Sequence, residues 1–483
     1  MRGLLAAVMV VTLTACPEQK PAGGGGGSAT GGGSATGGGS ATGGGGAATG
    51  GGAATGGGSA TGGGGAATGG GSATGGGSAD AGHPAVEHLV VIVQENHTFD
   101  NHFGRYCTSP YGTAPTCNTG PSCCEEGPAT DPSDAGPTVL DDGEMGTWDP
   151  NHTRACETNE INSGAMDQFV VGTACSSPRN FAYSAQSVIQ PYWDLAGQYA
   201  IADRYFQSVI GQSSSNDMYL ARAAWEFNDN EFGGTGAIGR TCQLPNANAS
   251  YTHANIGDLL ADAGVTWTFY AEGYQRTKDA VDAGMCPSAP TDCPAHIVIY
   301  PCNYDPGDDP FTYYDSTRDN PQFTADLNAF VAALDAGTLP SVSYLKPLGF
   351  KSEHPGGSSK LSDGVGFVNG ITQQILASAY GGKVLVLVVW DEGGGYFDHV
   401  APPALSTADG QPYGTRLPFL AIGPYVKTNY VSHVQLEHAS VVKFIEWNWL
   451  GHTTGQLGTR DTTANNLGDV LDPAKTGVAV PAN

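Results

Sequence analysis

Two apolar runs in this chain end abruptly in hard oxygen donors. The run His88–Val93 leads into Gln94-Glu95-Asn96-His97-Thr98-Phe99-Asp100. The run Val384–Trp390 leads into Asp391-Glu392-Gly393-Gly394-Gly395-Tyr396-Phe397-Asp398-His399. Carboxylates brought together at neighbouring strand ends repel one another unless a cation sits between them. The glycines after Glu392 allow a sharp turn and a close backbone approach to a ligand. Helix capping is the competing use of Asn96 or Asp391 taken singly, because both residue types cap well. A third segment, Gln212-Ser213-Ser214-Ser215-Asn216, precedes a helical pattern over Met218–Trp225. Backbone N–H groups and the helix dipole there favour an anion, either a phosphoryl group or a serine alkoxide. A serine triplet before a helix serves equally well as a cap.

These groups need a scaffold of strands. Five short apolar runs fit: His88–Val93, Val265–Tyr270, Val342–Leu345, Val384–Trp390 and Leu417–Ile422. Their β-branched content and unbroken apolarity suit strands buried on both faces of a mainly parallel sheet. Ile256–Ala263, Ala325–Leu334 and Val365–Ala379 carry apolar residues at three- and four-residue spacing, as helices do. Alternating strands and helices predict a doubly wound α/β sandwich, whose ligands sit beyond the carboxyl ends of the strands. The Glu95-Asn96 and Asp391-Glu392 pairs both stand there.

The 483 residues carry a formal charge of −26. Phosphate polymers are repelled by such a field, so a nucleic-acid partner is not expected. The apolar stretch that opens the chain is too short to span a bilayer. After Arg2, the run Leu4–Leu13 and then Leu13-Thr14-Ala15-Cys16 read as a secretory signal. This resembles a bacterial lipobox, which would lipidate Cys16 after removal of residues 1–15. Pro17 rather than Asp follows, so the expected location is the outer membrane of a bacterial envelope. Residues 16–82 are mostly Gly, Ala, Ser and Thr, a flexible tether of roughly 40 Å r.m.s. span. Residues 83–483 remain for one large domain. Its ten cysteines (Cys107 to Cys302) are even in number and show no C-x2-C pair, which favours disulfides over zinc. Cys286, Cys293 and Cys302 fall in a Pro-rich stretch expected to be a stapled loop.

The ordered motifs resemble a known family. Glu95-Asn96-x-x-Phe99-Asp100-x-x-Phe103-Gly104 opens the series. Pro150-Asn151-His152 and Gly164-Ala165-Met166-Asp167-Gln168-Phe169 follow. Asp203-Arg204-Tyr205-Phe206 with Ser213-x-x-Asn216 comes next, then Glu353-His354-Pro355. Asp391 to Pro403 and Glu437-His438-x-Ser440 to Glu446 complete it. Over residues 86 to about 450 the chain is similar to the phosphoesterase family of non-haemolytic phospholipases C and related acid phosphatases. That family lies within the alkaline-phosphatase-like superfamily.

The resemblance implies a metal-dependent phosphoric ester hydrolase. Glu95, Asn96, Asp391, Glu392 and the hydroxyl of Ser213 would hold one or more divalent cations (Ca, Zn or Mg). Ser213 would be the nucleophile of a double displacement through phosphoserine. His152 and His354 would contact phosphoryl oxygens or protonate the leaving alcohol. Asn96 and Asp309 would face the substrate, a phospholipid headgroup or a small phosphomonoester. Asp398, His399, Glu437 and His438 would support and pack. The chain departs from the family at Ser215, at Asp217, which stands where a basic residue is common, and in Asp308-Asp309-Pro310-Phe311, where Asp309 takes the place of a histidine common before the Pro-Phe pair. A non-catalytic surface lipoprotein using the fold for binding is the alternative. A sulfatase reading lacks its nucleophile motif.

Overall fold

The computed structural model describes residues 84–243 and 247–483. The expected signal, Cys16 and tether lie outside these residues. The strands of the central sheet are β1 (His88–Gln94), β2 (Ala200–Ala202), β3 (Trp267–Ala271) and β4 (Thr324–Asp326) in its first half. They continue as β5 (Val342–Lys346), β6 (Val384–Trp390), β7 (Phe419–Ile422) and β8 (Tyr430–Ser432). Their spatial order is β8-β2-β7-β6-β1-β5-β3-β4. Only β7 is antiparallel to its neighbours, so the sheet is mainly parallel and wound to both sides of β1.

Burial explains why these runs are strands. Every residue of β6 is buried, and all of β1 except His88. Runs of Val, Leu and Ile covered on both faces suit a central parallel strand. The covering helices pack in two groups. One pairs α1 (Gln186–Gln198) with α4 (Leu361–Ala377). The other joins α2 (Ser213–Arg222), α3 (Ile256–Asp262) and α5 (His438–Trp449). Fold class and all five expected strands agree with the sequence reading. The helix expected from Met218 begins earlier, at Ser213 itself, with Gln212 as its cap.

Register converts this scaffold into a site. β1 and β6 pair over their whole length, with Gln94 opposite Trp390. The next residues in each strand, Glu95 and Asp391, are therefore brought side by side. β5 lies on the other side of β1, with Leu345 opposite Ile92, so Lys346 closes the same end of the sheet.

Five disulfides pair all ten cysteines of the domain: Cys107–Cys124, Cys117–Cys123, Cys156–Cys175, Cys242–Cys286 and Cys293–Cys302. The last two staple the expected Pro-rich loop. Met166 and Phe169 of the second motif pack with Phe181 and Phe397 in a small separate core. Among the described residues, no helix is long and apolar enough to cross a membrane.

Candidate active site

Asn96 leaves β1 in the left-handed region, with φ of 62°. Asparagine tolerates that conformation better than most residues. Its backbone N–H donates to Asp391 Oδ1 at 3.2 Å, which ties the two strand ends together. Gly394 (φ 66°) lets the second strand end fold back onto the first. A Cβ there would lie 2.4 Å from the Asn96 carbonyl oxygen.

The three carboxylates share one pattern. Glu95 Oε2 accepts from Tyr300 OH at 2.8 Å. Asp391 Oδ1 accepts from the N–H groups of Asn96 and Glu392. Glu392 Oε2 accepts from Gly394 N–H at 2.6 Å. In each case one oxygen orients the group. The other oxygen of Asp391 (Oδ2) and of Glu392 (Oε1) is buried without a hydrogen bond among the described residues, and that of Glu95 (Oε1) meets the Lys346 ammonium at 2.9 Å. Buried carboxylate oxygens without donors are costly, and a divalent cation satisfies them. All of these are hard oxygens, the donor chemistry that a divalent cation takes, whereas the clusters whose ligand atoms lie within 4.8 Å of one another among the described residues are His97-His102-Glu353, Asp149-His152-His354 and Asp100-Asp398-His399.

Ser213 joins this group from α2. Its Oγ lies 3.5 Å from Asn96 Oδ1, and the residue is only 3% exposed. Burial pushes the Asp391 carboxyl up to about 6, with Lys346 pulling it down and Glu95 pushing it up. Burial, with Glu157 and Asp391 nearby, holds Glu392 well above the usual carboxylate range. Glu95 behaves oppositely. Burial pushes it up, but Lys346 and His354 outweigh that and hold it below its ordinary value.

His152 and His354 face each other across the mouth, with ring centroids 5.9 Å apart. His152 Nδ1 pairs with the Pro150 carbonyl at 2.8 Å and His354 Nδ1 with the Pro355 carbonyl at 2.7 Å. A backbone carbonyl accepts only, so Nδ1 carries the proton in both rings and Nε2 is left for chemistry. His152 Nε2 lies 3.6 Å from Glu392 Oε1. Burial lowers the His152 value, against the pull of Asp149. Asp149, His152 and His354 also place their ligand atoms within 4.8 Å of one another.

Asp309 does not face this site. Its oxygens accept from Phe311 N–H at 3.1 Å and Tyr304 OH at 3.3 Å, so it caps the turn Pro310–Tyr313. Asp308 instead comes within 4.0 Å of Lys346 Nζ. At the expected substrate contact Asp309, the side chain thus serves one backbone N–H and one tyrosine hydroxyl.

The four expected supporting residues do support. His438 Nε2 pairs with the Asp391 carbonyl at 2.7 Å, and its Nδ1 with Tyr205 OH. Glu437 is bound by Arg460 and caps α5. Asp398 accepts from Arg416 Nε, and Asp100 Oδ2 accepts from His399 Nδ1–H at 2.8 Å.

Two site residues escaped the sequence reading. Lys346 ends an apolar strand just as Glu95 and Asp391 follow theirs, so the same strand-end rule would have found it. Tyr300 carried no local signal. The stapled loop brings it to Glu95 from 205 residues away.

Comparison with known proteins follows the same residues. The chain matches the Phosphoesterase family over residues 86–450. It is 26% identical to the non-hemolytic phospholipase C of Burkholderia pseudomallei over 406 residues, covering 75% of this chain and 55% of that protein. It is 25% identical to phospholipase C B of Mycobacterium tuberculosis over 422 residues, covering 79% of this chain and 77% of that protein. The chain thus spans about half the length of the first curated relatives it matches. Among solved structures, a protein of the alkaline phosphatase superfamily from Vibrio parahaemolyticus matches with a TM-score of 0.36 and 10% identity, over 80% of this chain and 72% of that one. At that score the likeness adds nothing to the family assignment.

Proposed function

The chain belongs to the phosphoesterase family, and from that premise we propose that it hydrolyses phosphate esters with a divalent cation and Ser213 as nucleophile. The observation that carries this reading is the set of three oriented carboxylates, two of them with an oxygen left without a hydrogen bond and the third with one that meets only Lys346, beside a buried serine at a helix N-terminus. Glu95, Asp391, Glu392, the Asn96 amide oxygen and Ser213 Oγ would hold the cation. Bound there, it lowers the hydroxyl pKa and neutralises phosphoryl charge.

Ser213 Oγ attacks phosphorus in line as the alkoxide. The N-terminus of α2 directs its N–H groups toward the charge that develops on the phosphoryl oxygens. The Ser213 proton leaves to solvent. His152, its Nδ1–H held by the Pro150 carbonyl, binds a proton at Nε2 together with the anionic substrate and gives it to the leaving alkoxide. His354, protonated at Nε2 in the same way, donates to a non-bridging oxygen. Water then attacks the phosphoserine from the same side, and His152 takes its proton back. Such chemistry needs positioning and charge neutralisation above all.

The named relatives are phospholipases C, which puts lipid phosphodiesters first among substrates. A charge of −26 disfavours anionic lipid surfaces and favours zwitterionic headgroups or soluble esters. Residues 1–15 would direct export, Cys16 would carry the lipid anchor, and residues 16–82 would tether the domain to the outer membrane.

Hydrolysis of p-nitrophenyl phosphate and p-nitrophenylphosphorylcholine, with and without chelator, tests the reading. Turnover that chelator abolishes and metal restores is expected, and the preferred ester separates phosphatase from phospholipase C. Metal-loaded protein inert on both esters and on phospholipid vesicles would leave the binding-module alternative standing and refute the enzyme.

A further inference from the structure

Lys346 Nζ lies 2.9 Å from Glu95 Oε1 and 3.9 Å from Asp391 Oδ2. These are two of the three carboxylate oxygens that take no hydrogen bond elsewhere among the described residues. The ammonium therefore stands against the oxygens that the cation would need. Lys346 is only 4% exposed, so water does not screen the contact.

A second set of acceptors waits beside it. Asp308 Oδ2 is 4.0 Å from Lys346 Nζ. Asp217, one turn beyond Ser213 in α2, is fully buried, and neither of its oxygens has a hydrogen-bond partner among the described residues. Burial holds the Asp217 carboxyl well above the usual carboxylate range, with Lys346 pulling against it. Asp308 thus offers the lysine an acceptor other than the candidate metal ligands.

We propose that Lys346 is a displaceable internal cation: it holds Glu95 and Asp391 together before the metal binds, then passes to Asp308 when the metal takes their oxygens. The inference rests on the metal-dependent reading above. It makes Lys346 a positioning residue that sets metal affinity. An ammonium left on Glu95 would repel the incoming divalent ion. Asp308 stabilises the lysine in its second position.

The test is Ca2+ binding to chelator-treated full-length protein by calorimetry, with Zn2+ and Mg2+ in parallel. Lys346→Met, which removes the charge and keeps the bulk, is expected to tighten the Kd about tenfold or more. Lys351→Met removes an equal charge from the separate pair with Glu272 and is expected to leave the Kd unchanged. Asp308→Asn is expected to weaken binding in the wild type, and much less so in the Lys346→Met background. That coupling is read by a double-mutant cycle. Unchanged or weaker binding in Lys346→Met overturns the proposal, as does equal tightening in Lys351→Met or an additive cycle. If Lys346→Met folds poorly, Asp308→Asn alone decides, since an unchanged Kd excludes the transfer. Absence of all divalent binding overturns this inference together with the functional reading. Normal metal coupling without ester hydrolysis overturns the functional reading alone and supports this one.

Discussion

At the scale of single residues, the site depends on which oxygen of each carboxylate is used. Asp391 Oδ1 accepts from two backbone N–H groups, and Oδ2 takes no hydrogen bond. Asp391→Asn can keep the first role through its amide oxygen and loses only the charge of the second. The variant is expected to fold and to lose stoichiometric metal, as read by elemental mass spectrometry. Retained metal would remove Asp391 from the ligand set. Ser213→Ala deletes one hydroxyl from a helix that Gln212 begins without a side-chain cap. Its kcat is expected to fall ~10³-fold or more with Tm unchanged. Turnover near the wild-type level would show that another group attacks phosphorus.

At the scale of elements, two turns make the site possible. Gly394 combines φ of 66° with a Cβ position 2.4 Å from the Asn96 carbonyl. Gly394→Ala is therefore expected to cost about 1–3 kcal/mol from backbone strain, plus the clash. Lower Tm and lower metal affinity should appear together, because the two strand ends are pushed apart. An alanine variant with wild-type metal affinity would mean that the strand ends adjust without the glycine. The second turn is the loop closed by Cys293–Cys302, nine residues apart in sequence. It delivers Tyr300 OH to Glu95 Oε2. Replacing both cysteines by serine removes a constraint worth about 2–3 kcal/mol at most in the chain-entropy account. Tyr300→Phe should reproduce the loss of metal affinity without the loss of Tm. If only the cysteine pair matters, the loop acts through packing and not through Tyr300.

At the scale of the whole molecule, buried titratable groups set the pH at which the fold is most stable. Burial pushes Glu157 and Glu446 up to about 8 and Glu160 up to about 9, against an ordinary value of 4.5. These acids are protonated in the fold, so their contribution is complete below about 4.5 and lost as pH rises through 8 to 9. Burial acts the other way on His102 and His438, lowering them to about 3 and about 4 from 6.5. Their contribution is present above about 6.5 and lost as pH falls toward those values. With chelator present, Tm is expected to be greatest between about pH 4.5 and 6.5 and to fall on both sides. A Tm still rising at pH 9 would mean that the buried acids ionise within the fold.

Much of this molecule was legible along the chain, and what was legible was local. Unbroken runs such as Val384–Trp390 announce buried parallel strands because both faces must be apolar. The acids placed just past two of those runs announce a site because strand ends in such sheets converge on ligands. What only the tertiary structure decided is which groups touch. Tyr300 meets Glu95 through a disulfide loop whose pairing the ten cysteines do not specify by themselves. Asp309 turned out to be a cap and Asp308 the residue beside the site, a choice made by one backbone turn. Lys346 reaches Glu95 because β5 pairs with β1 in one register. A shift of one residue would send the lysine to the other face. Spacing along a chain records periodicity, whereas contact between strands distant in sequence records register and packing.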